Sequence, residues 1–249
     1  MNGSTMMLAH ILFAKSELDL VYVFDKATFE GKIIIFVLLI FSIFAWSIMA
    51  TKAIEMRRAR KFNRLFEEEF RAQSNVFAIF DRRLKVDGCP LFAVYQAGCQ
   101  ELDARLRSAE SRQRRGRISL IGMEHVKRTL ESAVAREALR LESGLILLAI
   151  AVSGAPFLGL LGTVWGVMSA FAGIAQAAAA GSRGDLAAMA PGVSGALITT
   201  VAGLLVAIPS MFGYNWLVHT LRVLTVELDN FAQELVSKME TEYLSENDH

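Results

Sequence analysis

The chain has 249 residues, 53% of them hydrophobic and 20% charged, with a formal net charge of only +1. That length allows one or two domains, the apolar share excludes intrinsic disorder, and the charge balance gives no ground for a nucleic-acid partner. Residues 52–142 hold 20 of the 26 Lys and Arg, whereas residues 33–51, 143–182 and 186–218 carry no charge at all, which excludes a soluble globular protein.

Residues 1–32 carry three Lys against Glu17, Asp19, Asp25 and Glu30. The first span follows at 33–51, with Trp46 near one end. Its apolar core is too long for a signal peptide, and its positive charges follow it instead of preceding it. They are Lys52, Arg57, Arg58, Arg60, Lys61 and Arg64. The positive-inside rule therefore sets 1–32 in the periplasm and 52–142 in the cytoplasm. Lys127, Arg128, Arg136 and Arg140, close to the second span, agree with that orientation.

Within 52–142, Phe62, Leu65, Phe66 and Phe70 recur at helical spacing. Val126, Leu130, Val134 and Leu141 do the same and are expected to run straight into span two. Gly88 and Pro90 mark a turn. Cys89 and Cys99 make no disulfide framework and are expected as reduced thiols in helical packing. The basic run Arg112, Arg114, Arg115 and Arg117 reads as a solvated face or as a contact with membrane lipid.

A single helix over 143–182 would be roughly 60 Å long, about twice the hydrocarbon core. The second span is therefore set at 143–174 and a periplasmic hairpin at 175–190. Pro191 opens the third span, 191–218, in the first helical turn. Pro156 and Pro209 fall inside spans and are expected to kink them. Residues 219–249 form a C-terminal helix, with Leu221, Leu224, Leu228, Phe231, Leu235 and Met239 on its apolar stripe. The expected fold is all-α and integral to the membrane: three transmembrane helices with long cytoplasmic helical extensions.

Spans two and three differ in kind from the first. Span two contains Gly159, Gly162 and Gly166, and span three Gly195, Ala196, Gly203 and Ala207. Small residues let membrane helices approach closely. Thr163 shares the face of Gly159 and Gly166. Thr199 shares the Gly195–Gly203 stripe, and Thr200 stacks with Ala196. These hydroxyls either bond back to their own helix or line a narrow polar path. Thr199 is expected to matter least should it face a neighbouring helix.

The three uncharged runs contain no Asp, Glu, His, Lys or Arg, so a proton carrier would have to come from a partner. Three helices enclose no pore, which implies a homo-oligomer. The four histidines have no metal-ligand spacing and no nucleotide or hydrolase motif is present, so no catalytic residue, metal or cofactor is expected. A conducting subunit and a non-conducting scaffold whose helices only pack are the two readings left.

Residues 155–168 (APFLGLLGTVWGVM) and 189–209 (MAPGVSGALITTVAGLLVAIP), followed by Tyr214 and Asn215, resemble the second- and third-span signatures of the MotA/TolQ/ExbB proton channel family. Three spans with a large cytoplasmic loop resemble its ExbB and TolQ branches. Residues 226–235 and the short start before span one look more like the TolQ branch. The resemblance implies an inner-membrane motor subunit, a pentamer around a single-span ExbD- or TolR-like partner whose aspartate carries the proton. It also implies coupling to a TolA- or TonB-like protein, for envelope maintenance in the first case and for outer-membrane uptake in the second. Thr163 and Thr200 align with the family's pore-facing threonines. Gly195 stands where the third span of the family usually carries a glutamate.

Overall fold

The computed structural model describes residues 29–82, 86–110, 117–179 and 189–244. The expected N-terminal segment (residues 1–28 of it), the centre of the hairpin (180–188) and Arg112, Arg114 and Arg115 lie outside the described residues. Five α-helices make up nearly all that is described: α1 (Phe29–Ala72), α2 (Pro90–Glu110), α3 (Leu120–Glu142), α4 (Leu145–Ala179) and α5 (Ala190–Tyr243). A short 3-10 helix, Phe80–Arg82, lies between α1 and α2. Among the described residues there is no strand, only an isolated parallel bridge between Ile118 and Leu244.

Three helices, α1, α4 and α5, are long and apolar enough to cross a membrane. The first and third do not stop where their apolar runs stop. With 44 and 54 residues, α1 and α5 span roughly 66 and 81 Å at 1.5 Å per residue, against a hydrocarbon core of about 30 Å. Span one and the Phe62–Phe70 stripe are one helix, and so are span three and the stripe beyond it.

The second junction differs from expectation. The stripe from Val126 to Leu141 does not run straight into span two, because α3 ends at Glu142 and α4 begins at Leu145. The cause is local. Gly144 has φ +85°, the left-handed conformation that closes helices and strains any residue with a Cβ. The Ser143 N–H donates back to the Leu139 carbonyl at 3.0 Å. The Lys52 ammonium reaches the Leu141 carbonyl and the Ser143 hydroxyl at 3.4 Å each while pairing with Glu55 at 2.8 Å. A cation at a helix C-terminus offsets the negative end of the macrodipole.

The chain divides into two compact units, Met1–Met49 with Ile146–Tyr214 and Ala50–Leu145 with Asn215–His249. In the first, the span unit, Ile34 and Leu38 of α1 pack with Ala155 of α4 and Ala207 of α5. Large apolar side chains elsewhere on its helices, such as Phe36, Phe44, Phe157, Trp165, Leu205 and Phe212, point outward.

The second, the bundle unit, has an ordinary interior in which Phe66, Phe70, Phe92, Tyr95 and Phe231 interlock, mostly edge to face. The Tyr95 hydroxyl donates to the Val76 carbonyl at 2.6 Å and accepts from the Phe80 N–H at 2.9 Å. That pins the segment after α1, and burial pushes the Tyr95 phenol up from its ordinary pKa. From α5, Lys238 donates to the Gln73 carbonyl at 2.6 Å and Glu242 accepts from the Val76 N–H at 3.1 Å. Cys89 and Cys99 are both free and buried, and burial raises their thiols to about 11 and about 12.

Candidate functional site: the contact of α4 and α5

Most of the small residues of spans two and three face each other. Gly159, Gly162 and Gly166, buried on α4, lie against Ala196, Thr199 and Gly203, buried on α5, and Gly195 is buried on α5 as well. The approach is close enough that a methyl group would not fit. A Cβ on Gly159 would stand 2.8 Å from the Thr199 carbonyl oxygen and 3.0 Å from the Thr200 Cα. On Gly203 it would meet the Ala155 carbonyl oxygen at 2.6 Å, on Gly166 the Ala196 Cβ at 2.6 Å, and on Gly162 it would run into the Thr199 hydroxyl. Gly154 and Gly173, on the same helix, have nothing within 4 Å. Backbone contact of this kind replaces the hydrophobic drive that is missing between helices in lipid.

The three threonines do not share one environment. Thr199 is fully buried between the helices, its hydroxyl within 2.6 Å of the Ala196 carbonyl and 3.0 Å of the Gly159 carbonyl on α4. Thr200 is half-buried and also points its hydroxyl at the Gly159 carbonyl, 3.2 Å away. Two hydroxyls of α5 thus converge on one carbonyl of α4. Thr163 is half-buried as well, its hydroxyl bonded to the Leu160 carbonyl of its own helix at 2.7 Å. Thr163 and Thr200 keep a partly open side, and Thr199 does not.

Pro156 and Pro209 lie inside α4 and α5, which continue through them, and Pro191 is the second residue of α5. Proline has no N–H, so the Val152 and Leu205 carbonyls lose their usual helical donors. Two further packed positions of α5, away from the contact with α4, escaped the sequence reading. Ser210 is buried, with its hydroxyl on the Val206 carbonyl at 2.7 Å. Gly213 sits against Met49 so closely that a Cβ would collide with that side chain. Extending the three-and-four spacing of Ala196, Thr199, Gly203 and Ala207 would have reached both. Among the described residues no group of three or more His, Cys, Asp or Glu is placed to hold a metal ion.

This glycine-rich contact, with its convergent hydroxyls and no ionisable carboxylate or amine on either helix within the spans, is the distinctive part of the molecule. Residues 94–230, more than half of the chain and including this contact, match the MotA/TolQ/ExbB proton channel family. The chain belongs to that family. It is 31% identical to the Tol-Pal system protein TolQ of Haemophilus influenzae over 228 residues, 89% of this chain and 94% of the relative. To the TolQ of Pseudomonas aeruginosa it is 32% identical, over 77% of this chain and 79% of the relative. The biopolymer transport protein ExbB of Neisseria meningitidis serogroup A is 32% identical, over 81% and 88%. With three spanning helices and these relatives, this proton channel family member is a multi-pass protein of the inner membrane.

Proposed function

We propose that the chain is the wall-forming subunit of a proton-driven inner-membrane motor that maintains the cell envelope in the manner of a Tol-Pal system. The observation that carries this is a proton channel family member whose spans contain no Asp, Glu, His, Lys or Arg. A proton needs a titratable carrier at mid-membrane, so the carrier belongs to a second protein. A single-span ExbD- or TolR-like helix with one carboxylate, held inside a ring of five copies, meets the need. A ring also gives the outward-facing apolar side chains of the span unit something to bury against besides lipid.

In this arrangement Thr163 and Thr200 face the path, while Thr199 fixes the spacing of α4 and α5. A carboxylate at mid-membrane costs roughly 2.5–3.5 kcal/mol on insertion scales. Hydroxyls of Thr163 and Thr200 turned toward it lower that cost, and protonation of the carboxylate releases it from them. One proton falling through about 100 mV supplies about 2.3 kcal/mol, enough to bias a step from one equivalent subunit to the next. Residues 52–142 and the C-terminal helix lie in the cytoplasm, and residues 1–32 and the hairpin lie in the periplasm.

The ExbB relatives favour a second outcome, in which the same ring energises outer-membrane uptake through a TonB-like protein. Deleting the chain's gene separates the two. Leakage of periplasmic protein and chained, undivided cells are expected. Intact envelopes with lost growth on chelated iron would move the chain to the uptake role.

A further inference from the structure

We propose that the bundle unit carries a site for a phosphate-bearing anion, built on the stretch of α1 that follows the first span. Arg57, Arg60 and Arg64 stand three and four residues apart and so share one face of α1. They line a groove of about 930 Å³ together with Lys61, Asn63, Leu65, Glu67, Glu68 and Glu227. Like charges at this spacing repel one another, and the carboxylates present do not neutralise them all. Arg64 pairs with Glu68 at 3.2 Å and Arg60 acts on Glu227. Arg57 and Lys61 have no carboxylate within 4 Å among the described residues; Arg57 lies over the Trp216 ring, 5.7 Å from its centroid.

An independent observation comes from Asn63, only 2% exposed. Its carboxamide oxygen is used twice, accepting from the Leu91 N–H at 3.2 Å and from the Cys89 thiol at 3.5 Å. Its NH2 group is buried with no partner. A buried donor left unmade is costly, and native structures rarely tolerate one. Arg57 and Lys61, without carboxylate partners, line one groove with an unpaired amide donor, and together they form a recognition set for an oxyanion. Arginine forks match phosphate oxygens, and Asn63, with its unmet donor, lines the same groove.

Two sources offer that oxyanion: the headgroup of an anionic lipid or a free phosphate. Position favours the lipid. Arg57 is six residues beyond Thr51, the end of the uncharged run, or about 9 Å along α1, and its neighbour Trp216 is of the type that collects at membrane interfaces.

The test uses the full chain in detergent and native mass spectrometry, with phosphatidylglycerol, phosphatidylcholine and inorganic phosphate as probes. Phosphatidylglycerol is expected to stay bound. Each groove cation removed, in Arg57→Gln and in Arg57→Gln/Arg60→Gln, should weaken it about fivefold. Arg58→Gln removes the same charge next door but off the groove, and should change affinity by less than about twofold. Inorganic phosphate that displaces the lipid would assign the same site to a soluble phosphate. Equal weakening by Arg58→Gln would overturn the site in favour of diffuse attraction to the whole basic stretch, as would equal retention of phosphatidylcholine. Since Arg57 and Arg58 are both exposed, neither substitution should disturb the fold.

Discussion

Gly162 and Thr199 show how single atoms set the distance between α4 and α5. A methyl at Gly162 would occupy the space of the Thr199 hydroxyl, while one at Gly154 would meet nothing within 4 Å. Gly162→Ala should therefore lower the stability of the detergent-solubilised protein by about 1–3 kcal/mol, as overpacking does, and Gly154→Ala should be close to neutral. Thermal unfolding of both variants checks this; equal effects would mean that the helices are not in backbone contact. At Cys89 the expectation concerns pH. Its folded pKa, about 11, lies above the ordinary 9.0, so below pH 9 both folded and unfolded chains hold the proton and nothing is lost. Above 9 the unfolded chain ionises first, and the bundle unit should lose stability as pH rises through about 11. Alkylation of Cys89 in the native protein should stay slow at pH 8 and accelerate only with unfolding.

At the scale of elements, composition made three spans visible because charge is absent from them, and the stripes beyond them visible because Leu and Phe recur at helical spacing. Hydropathy does not register φ. Gly144 lies inside an uncharged run, so the break between α3 and α4 could not be read from apolar content. Gly144→Ala should cost about 1–2 kcal/mol, the penalty of a left-handed residue with a Cβ, measured by denaturant unfolding of the bundle unit. A loss below about 0.5 kcal/mol would show that the Lys52 and Ser143 contacts hold the break unaided. The small-residue faces were legible, and so was the possibility that Thr199 faces a neighbouring helix. Its convergence with Thr200 on the Gly159 carbonyl was not, because it depends on the relative rotation of two helices. Asn63 left no signal either: a lone polar residue in a basic stretch reads as surface, and only its apolar neighbours at Met56, Ala59, Phe66 and Phe70 turn it inward.

At the scale of the whole molecule, orientation and conduction are the consequences to test. Arg183→Cys should react with an impermeant thiol reagent added to cells with an opened outer membrane. Gln233→Cys, on an exposed position of α5, should react only once the inner membrane is breached; the reverse pattern would invert the topology. The proposed conduction rests on a division of labour in which this chain would supply a hydroxyl-lined wall and a partner the carboxylate. Proton flux into proteoliposomes held at about 100 mV, with the chain alone, with the proposed single-span ExbD- or TolR-like partner, and with threonine variants, tests this most directly. Flux should need both proteins. It should fall roughly tenfold in Thr163→Val and in Thr200→Val, the loss of one hydrogen bond to a charged group, with assembly intact, and fall less in Thr199→Val. Full flux through well-assembled complexes carrying both Thr163→Val and Thr200→Val, or flux through the chain alone, would contradict the account.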